Sequence, residues 1–235
     1  METSIGETLY MATPLEKARK DPDSMKARIL NGARRIFGEY GFHGTTTRMI
    51  ARKVGIDIST LYYHWGEKGD LYEAVILDIN EDLRQKLAEV ESVIHGHPLV
   101  QRMDIAIDLI TDHLFLHPEI SNLILFRYFG KTRREISLDF KVPEFISDIA
   151  RSMGLCQDKK NVSTRIKMQV LAMMNSIHNF ISGENFFRPM LKIERQEYIA
   201  LVKETLKFIL IPAFAGQEAE GSKLKAQSSK QEKNN

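Results

Sequence analysis

The chain has one cysteine among its 235 residues, Cys156, so no intrachain disulfide can form and the fold must be held by packing alone. Its longest uncharged stretch, Met168 to Gly183, carries Gln169, Asn175, Ser176, His178 and Asn179. It is too short and too polar to cross a bilayer. The first residues lack the compact apolar core of a secretory signal, so the expected compartment is the cytoplasm. Catalytic signatures are missing too. There is no phosphate-binding glycine loop, no dinucleotide fingerprint and no nucleophile elbow. No histidine has a glutamate three residues before it, which removes the usual ligand pattern of di-iron bundles. Asp108, Asp112 and His113 fall close together, but their spacing suits an exposed helix face better than a metal site. We expect no metal, no cofactor and no catalytic residues.

Excess charge is also missing overall, at +2, yet its distribution is uneven. Between residues 24 and 68, eight basic side chains stand against three acidic ones, a local charge of +5, while 69–215 carries −2. A basic module beside a mildly acidic body is the footprint of a protein that reads nucleic acid.

What is present is helical periodicity. Ile29, Ala33, Ile36, Phe37 and Tyr40 mark one buried stripe, ended by Gly41. Thr46 or Thr47 can cap a short helix over Ile50, Ala51 and Val54, and Gly55 supplies its C-terminal turn. Ile56 plugs the turn. Asp57 or Ser59 can then cap a second short helix that carries Leu61 inward. Two short helices joined through a glycine are a helix-turn-helix, whose second helix is usually built to enter the DNA major groove. A long helix follows from about 68 to 95, with Leu71, Val75, Ile79, Leu83, Leu87 and Val90 in register, until Gly96 and Pro98 break it. Further helices are expected over 99–116, 119–129, around Pro143 to Gly154, 163–183 and 194–214. Lys131 to Arg134 reads as a solvated corner. The last two helices are apolar on two sides, which demands burial on two sides. Pairing of two copies through 163–183 and 194–214 satisfies that demand. The fold class is therefore all-α. The expected division is a mobile arm (1–23), a DNA-binding domain (24–69), an effector-binding and dimerisation domain (70–215) and a disordered tail (216–235).

Residues 25 to 77 resemble the DNA-binding domain of the tetracycline-repressor family of bacterial transcription regulators. The resemblance rests on Ala33 through Gly41, Thr46 through Gly55, Thr60 through Trp65, and Lys68 with Leu71. The run Thr-Leu-Tyr-Tyr-His-Trp with a lysine three residues on is its most specific part. The resemblance implies that Thr46 and Thr47 hold a phosphate at a helix N-terminus. It implies that Arg48 reaches a base edge, that Ile58, Ser59, Thr60 and Tyr62 face the groove, and that Tyr63, His64 and Lys68 clamp phosphates. Trp65 and Leu61 read as core. Ile58, Glu67 and Gly69 depart from the family pattern: Ile58 favours contact with a thymine methyl, and the other two soften the start of the long helix.

The implied function is a homodimeric repressor that binds a palindromic DNA operator and is released by a small apolar or aromatic effector. Candidate effector contacts are Leu83, Met103, Ile107, Phe126, Phe145, Met174 and His178, with either His178 or Asn175 as the polar anchor. A helix-turn-helix protein without an effector, and an all-α enzyme with an apolar pocket, are the competing readings.

Overall fold

The computed structural model describes residues 12–129, 142–156 and 158–231. Every α-helix and 3-10 turn among them is accounted for by eleven α-helices and one short 3-10 helix, with no strand among the described residues. No described helix is long and apolar enough to cross a membrane. The chain divides into two compact units, Met1–Asp78 and Ile79–Asn235. The division falls inside the long helix rather than at residue 69, where the sequence reading placed it. The reason is packing: Leu71, Tyr72, Val75 and Ile76, on the first turns of that helix, are buried.

In the first unit, α1 (Pro14–Lys20) opens with a capping box: Thr13 accepts from the Glu16 amide while the Glu16 carboxylate accepts from the Thr13 amide. Residues 12–23 are thus not the mobile arm expected from their charge and prolines. Ala18 is buried, and the Arg19 guanidinium forks onto Asp78 through Nε at 2.9 Å and Nη2 at 2.7 Å. Arg34 takes the other Asp78 oxygen at 2.8 Å, so one buried carboxylate is shared by two guanidiniums. A local sequence signal could not have revealed a pairing between residues 44 and 59 positions apart. Residues 1–11 of the expected arm lie outside the described residues.

α2 (Met25–Gly44) is capped by Ser24 and leaves helical geometry at Gly41, whose φ of 67° is the left-handed region glycine tolerates. Ile29, Ala33 and Phe37 are buried as read, but Tyr40 is half exposed. α3 (Thr47–Val54) and α4 (Ile58–Trp65) complete the trihelical head, and α2 packs on both. Gly32 permits this closeness: a Cβ there would lie 2.5 Å from Val54 Cγ2.

α5 (Lys68–Ile94) belongs to both units along its length. In the second unit, α11 (Arg195–Gln231) packs on α6 (Leu99–Leu116), and α9 (Thr164–Ser182) packs on α7 (Pro118–Phe129) and α8 (Val142–Ser152). Ile146, Ala150, Val162 and Val170 form an apolar core between α8 and α9. On α11, Tyr198, Val202, Leu206, Leu210 and Phe214 recur every fourth residue and are buried. The opposite flank leaves Leu201, Phe208 and Ile209 exposed, Phe208 at 79%.

Two elements escaped the sequence reading. α10 (Glu184–Leu191) holds Pro189 within it, and a 3-10 turn (Lys159–Asn161) is capped by Asp158. The last helix also runs through Pro212 and on to Gln231 rather than ending near Phe214. A proline there removes the donor that would bond the Phe208 carbonyl, and Phe208 lies where water can replace it. Residues 216–231, read as a disordered tail, are rich in Ala, Glu, Lys and Gln, which are strong helix formers. Lys131–Arg134 and residues 232–235 lie outside the described residues.

Candidate nucleic-acid interface

Thr46, not Thr47, caps α3: its hydroxyl accepts from the Met49 amide at 3.2 Å. The helix stops at Gly55, whose φ is 77°, and the Gly55 and Ile56 amides both return to the Ala51 carbonyl. Only Gly55, Ile56 and Asp57 separate α3 from α4, which fixes the helix-turn-helix angle. Ile50, Ala51 and Leu61 close the joint, each at most 2% exposed. With Leu61 and Trp65 turned inward, the remaining surface of α4 is polar and aromatic. Trp65 is further tied by Nε1–H to the Lys26 carbonyl at 3.1 Å, which confirms its place in the core.

That leaves the candidate DNA-contacting residues distributed as follows. Thr46, Arg48, Ser59, Tyr62 and Tyr63 are exposed, and Thr47, Ile58, Thr60, His64 and Lys68 are half-buried. Tyr63 is 85% exposed, unusual for so large a ring, and is available to reach out to a phosphate. Asp57 stands at the N-cap of α4 but makes no side-chain cap bond, so its charge acts only through the helix dipole.

Lys68 and His64, which the resemblance offers as phosphate clamps, also make contacts within the protein. Lys68 Nζ donates to the carbonyls of Phe42 and Thr45, each at 3.0 Å, and lies 4.3 Å from the Phe42 ring centroid. Its charge is directed at the segment that delivers Thr46 and Thr47, so it positions that helix start. His64 shares its end of α4 with Lys26, whose Nζ donates to the His64 carbonyl at 2.9 Å and approaches Nδ1 at 3.5 Å. Burial and then the Lys26 charge lower the His64 pKa, which favours the neutral imidazole. The Tyr63 ring stands edge-on to it at 5.1 Å.

The departure at Glu67 is compensated by a residue the sequence reading passed over. Asp70 Oδ2 accepts from the Glu67 amide at 2.8 Å, the N3-to-N-cap half of a capping box at the start of α5.

In the second unit, Met103 and Ile107 are buried, and Leu83, Phe145 and Met174 are half-buried. Phe126 is 43% exposed and does not join a closed interior. Phe145 faces the Arg84 guanidinium, 5.8 Å from ring centroid to Cζ, and Met174 packs on the α8–α9 core. His178 is buried, its Nδ1 3.0 Å from the hydroxyl of Ser121, a partner the sequence did not suggest. Desolvation pushes the His178 pKa down to about 4. Asp108 and Asp112 are occupied by Lys207 and Lys203, at 2.8 and 2.6 Å, which accounts for that acidic face as an inter-helix clasp.

Comparison with known proteins agrees with the geometry. The profile of the bacterial regulatory proteins of the tetR family matches residues 29–75. The HTH-type transcriptional regulator UidR of Escherichia coli K12 is 33% identical over 101 residues, which are 43% of this chain and 50% of UidR. The HTH-type transcriptional repressor AcnR of Corynebacterium glutamicum is 30% identical over 82 residues, 35% of this chain and 40% of AcnR. The chain thus spans half or less of the length of these curated relatives. A solved structure from Clostridium perfringens, described as a candidate fatty acid metabolism regulator, shares the fold with a TM-score of 0.60 at 19% identity. That match covers 79% of this chain and 97% of that one.

Proposed function

We propose that the chain is a tetR-type homodimeric transcriptional repressor released from its operator by a small apolar molecule, a reading supported by the match of residues 29–75 to the model of the bacterial regulatory proteins of the tetR family. One observation carries the DNA reading. α4 turns Leu61 and Trp65 into the core and leaves Ser59, Tyr62 and Tyr63 exposed, beside a basic module of +5. Ser59, Thr60 and Tyr62 face base edges, Tyr63 and the α3 start at Thr46 and Thr47 hold phosphates, and Arg48 reaches into the groove. Lys68 keeps the α3 start in place.

The uncovered flank of α11 supports dimerisation. Leu201, Phe208 and Ile209 are large, apolar and exposed, and a second copy would cover them. Two heads related by a two-fold axis read half-sites about one helical turn, ~34 Å, apart. Release follows if an effector binds preferentially to a state with another separation; such couplings are typically about 1 to 3 kcal/mol. The neutral His178–Ser121 pair among apolar side chains suits an uncharged or apolar effector with one polar anchor.

The test is a gel shift with the DNA upstream of the gene, run with and without fatty acids, acyl thioesters and aromatic compounds. Retarded DNA released by one class supports the whole reading. Retardation that no compound changes leaves a DNA-binding protein without an effector, and no retardation at low salt overturns the DNA reading itself.

A further inference from the structure

α1, the first helix of the head, is tied in place through Arg19 on Asp78, and it exposes two lysines, Lys17 and Lys20, beside Glu16. Leu15, Ala18 and Arg19 turn toward the body of the first unit, Ala18 at 2% exposure. Lys17 and Lys20, about 60° apart around the axis by helical geometry, remain exposed. The Glu16 carboxylate is engaged with the Thr13 amide at 2.7 Å. α1 passes into α2 through a hydrogen-bonded turn, with the Ser24 amide and hydroxyl both donating to the Asp21 carbonyl at 3.1 and 2.6 Å. Asp21 and Asp23 lie on that turn and are exposed, so the exposed lysines are confined to the helix itself.

Lys26, two residues into α2, connects this helix to the recognition helix, since its ammonium reaches the carbonyl of His64 near the C-terminus of α4. The charge of Lys17, after burial, is what lowers the Lys26 pKa, which places the two ammoniums in the same field. Lys26 and Lys17 therefore bring positive charge to the C-terminal end of α4, where Tyr63 and His64 sit, and Lys20 follows Lys17 about one turn further along α1.

We propose that α1 is a phosphate-binding flank of the DNA-binding unit, its Lys17 and Lys20 contacting the duplex backbone outside the base pairs read by α4. Arg19, through Asp78, is the positioning residue that holds it there. This rests on the DNA reading above. The chemistry is that of a sequence-independent contact: exposed lysines on a fixed helix neutralise phosphates and release counterions, adding affinity and register without base discrimination.

The experiment measures affinity of the full chain for a mixed-sequence duplex, by fluorescence anisotropy over a salt series. In Lys17→Ala/Lys20→Ala, the slope of log affinity against log salt should shrink by about 3 to 4, since each of a dimer's four lysines contributes ~0.9. Hydroxyl-radical protection should recede at the outer edges of the footprint. Melting should not change, because both side chains are exposed, and Lys17→Arg/Lys20→Arg should keep the wild-type slope. Arg19→Ala should reproduce part of the slope loss. Tyr63→Ala serves as the reference. If it weakens binding while the lysine variant leaves slope and footprint intact, the flank is wrong and the recognition helix stands. If the wild-type chain binds no duplex, both fall together.

Discussion

Lys68 donates to the carbonyl of Thr45 at 3.0 Å, across 23 residues of sequence, and so ties the start of α5 to the residue that precedes the α3 cap. A charged donor on two carbonyls is worth roughly 1.5 to 3 kcal/mol. Lys68→Met should therefore lower both the melting temperature and DNA affinity. Tyr63→Ala should lower affinity alone, since that ring is 85% exposed. Paired thermal melts and binding titrations separate the two roles; a Lys68→Met protein with wild-type melting would contradict the positioning assignment.

Two glycines in the same unit should respond in opposite directions. At Gly69 an added Cβ meets nothing within 4 Å, and the position is helical. Gly69→Ala should stabilise by about 0.5 to 1 kcal/mol, because alanine loses less backbone entropy in a helix. Gly55 has φ of 77°, so Gly55→Ala should destabilise by about 1 to 2 kcal/mol despite equally open space. Chemical denaturation of both variants gives the comparison.

His178 makes the stability of the second unit depend on pH. Its folded pKa is about 4, below the ordinary 6.5, because burial disfavours the imidazolium. The unfolded chain then binds more protons between those values. The contribution of the neutral imidazole is fully present above 6.5 and is lost as pH falls toward 4. From pH 8 to pH 5 the loss is about 2 kcal/mol. His178→Leu/Ser121→Ala removes donor and acceptor together and should flatten that part of the profile. An unchanged pH profile would show that His178 is solvated in the native protein.

Much of this was legible in the sequence because it is local. The Thr46 cap, the Gly41 and Gly55 stops and the inward Leu61 and Trp65 follow from capping and periodicity over a few residues. The contacts that set geometry were not legible, because they join distant positions: Arg19 to Asp78, Lys68 to Phe42, Ser121 to His178. The charge and the prolines Pro14 and Pro22 suggest no more than a transient helix near Leu15 to Lys20 in a mobile arm, although Pro14 stands in the first turn where proline is tolerated. Phe126 looked like pocket lining because it sits in a very apolar helix, and composition cannot say which side of such a helix is covered.

The uncovered flank of α11 gives a prediction about assembly. Phe208 is 79% exposed, and Phe208→Glu would place a charge in any two-fold interface built there. The variant should sediment as a monomer, fold as well as wild type, and lose cooperative binding to a two-half-site duplex. If it remains dimeric, the interface lies elsewhere.

Selection of duplexes from a random-sequence library by the full-length protein, with Tyr63→Ala run in parallel, tests the account most directly. Enrichment of a near-palindrome whose half-sites are about one helical turn apart, lost in the variant, is the expected result. No enrichment by the wild-type protein at low salt would contradict the assignment of α4 as a recognition helix.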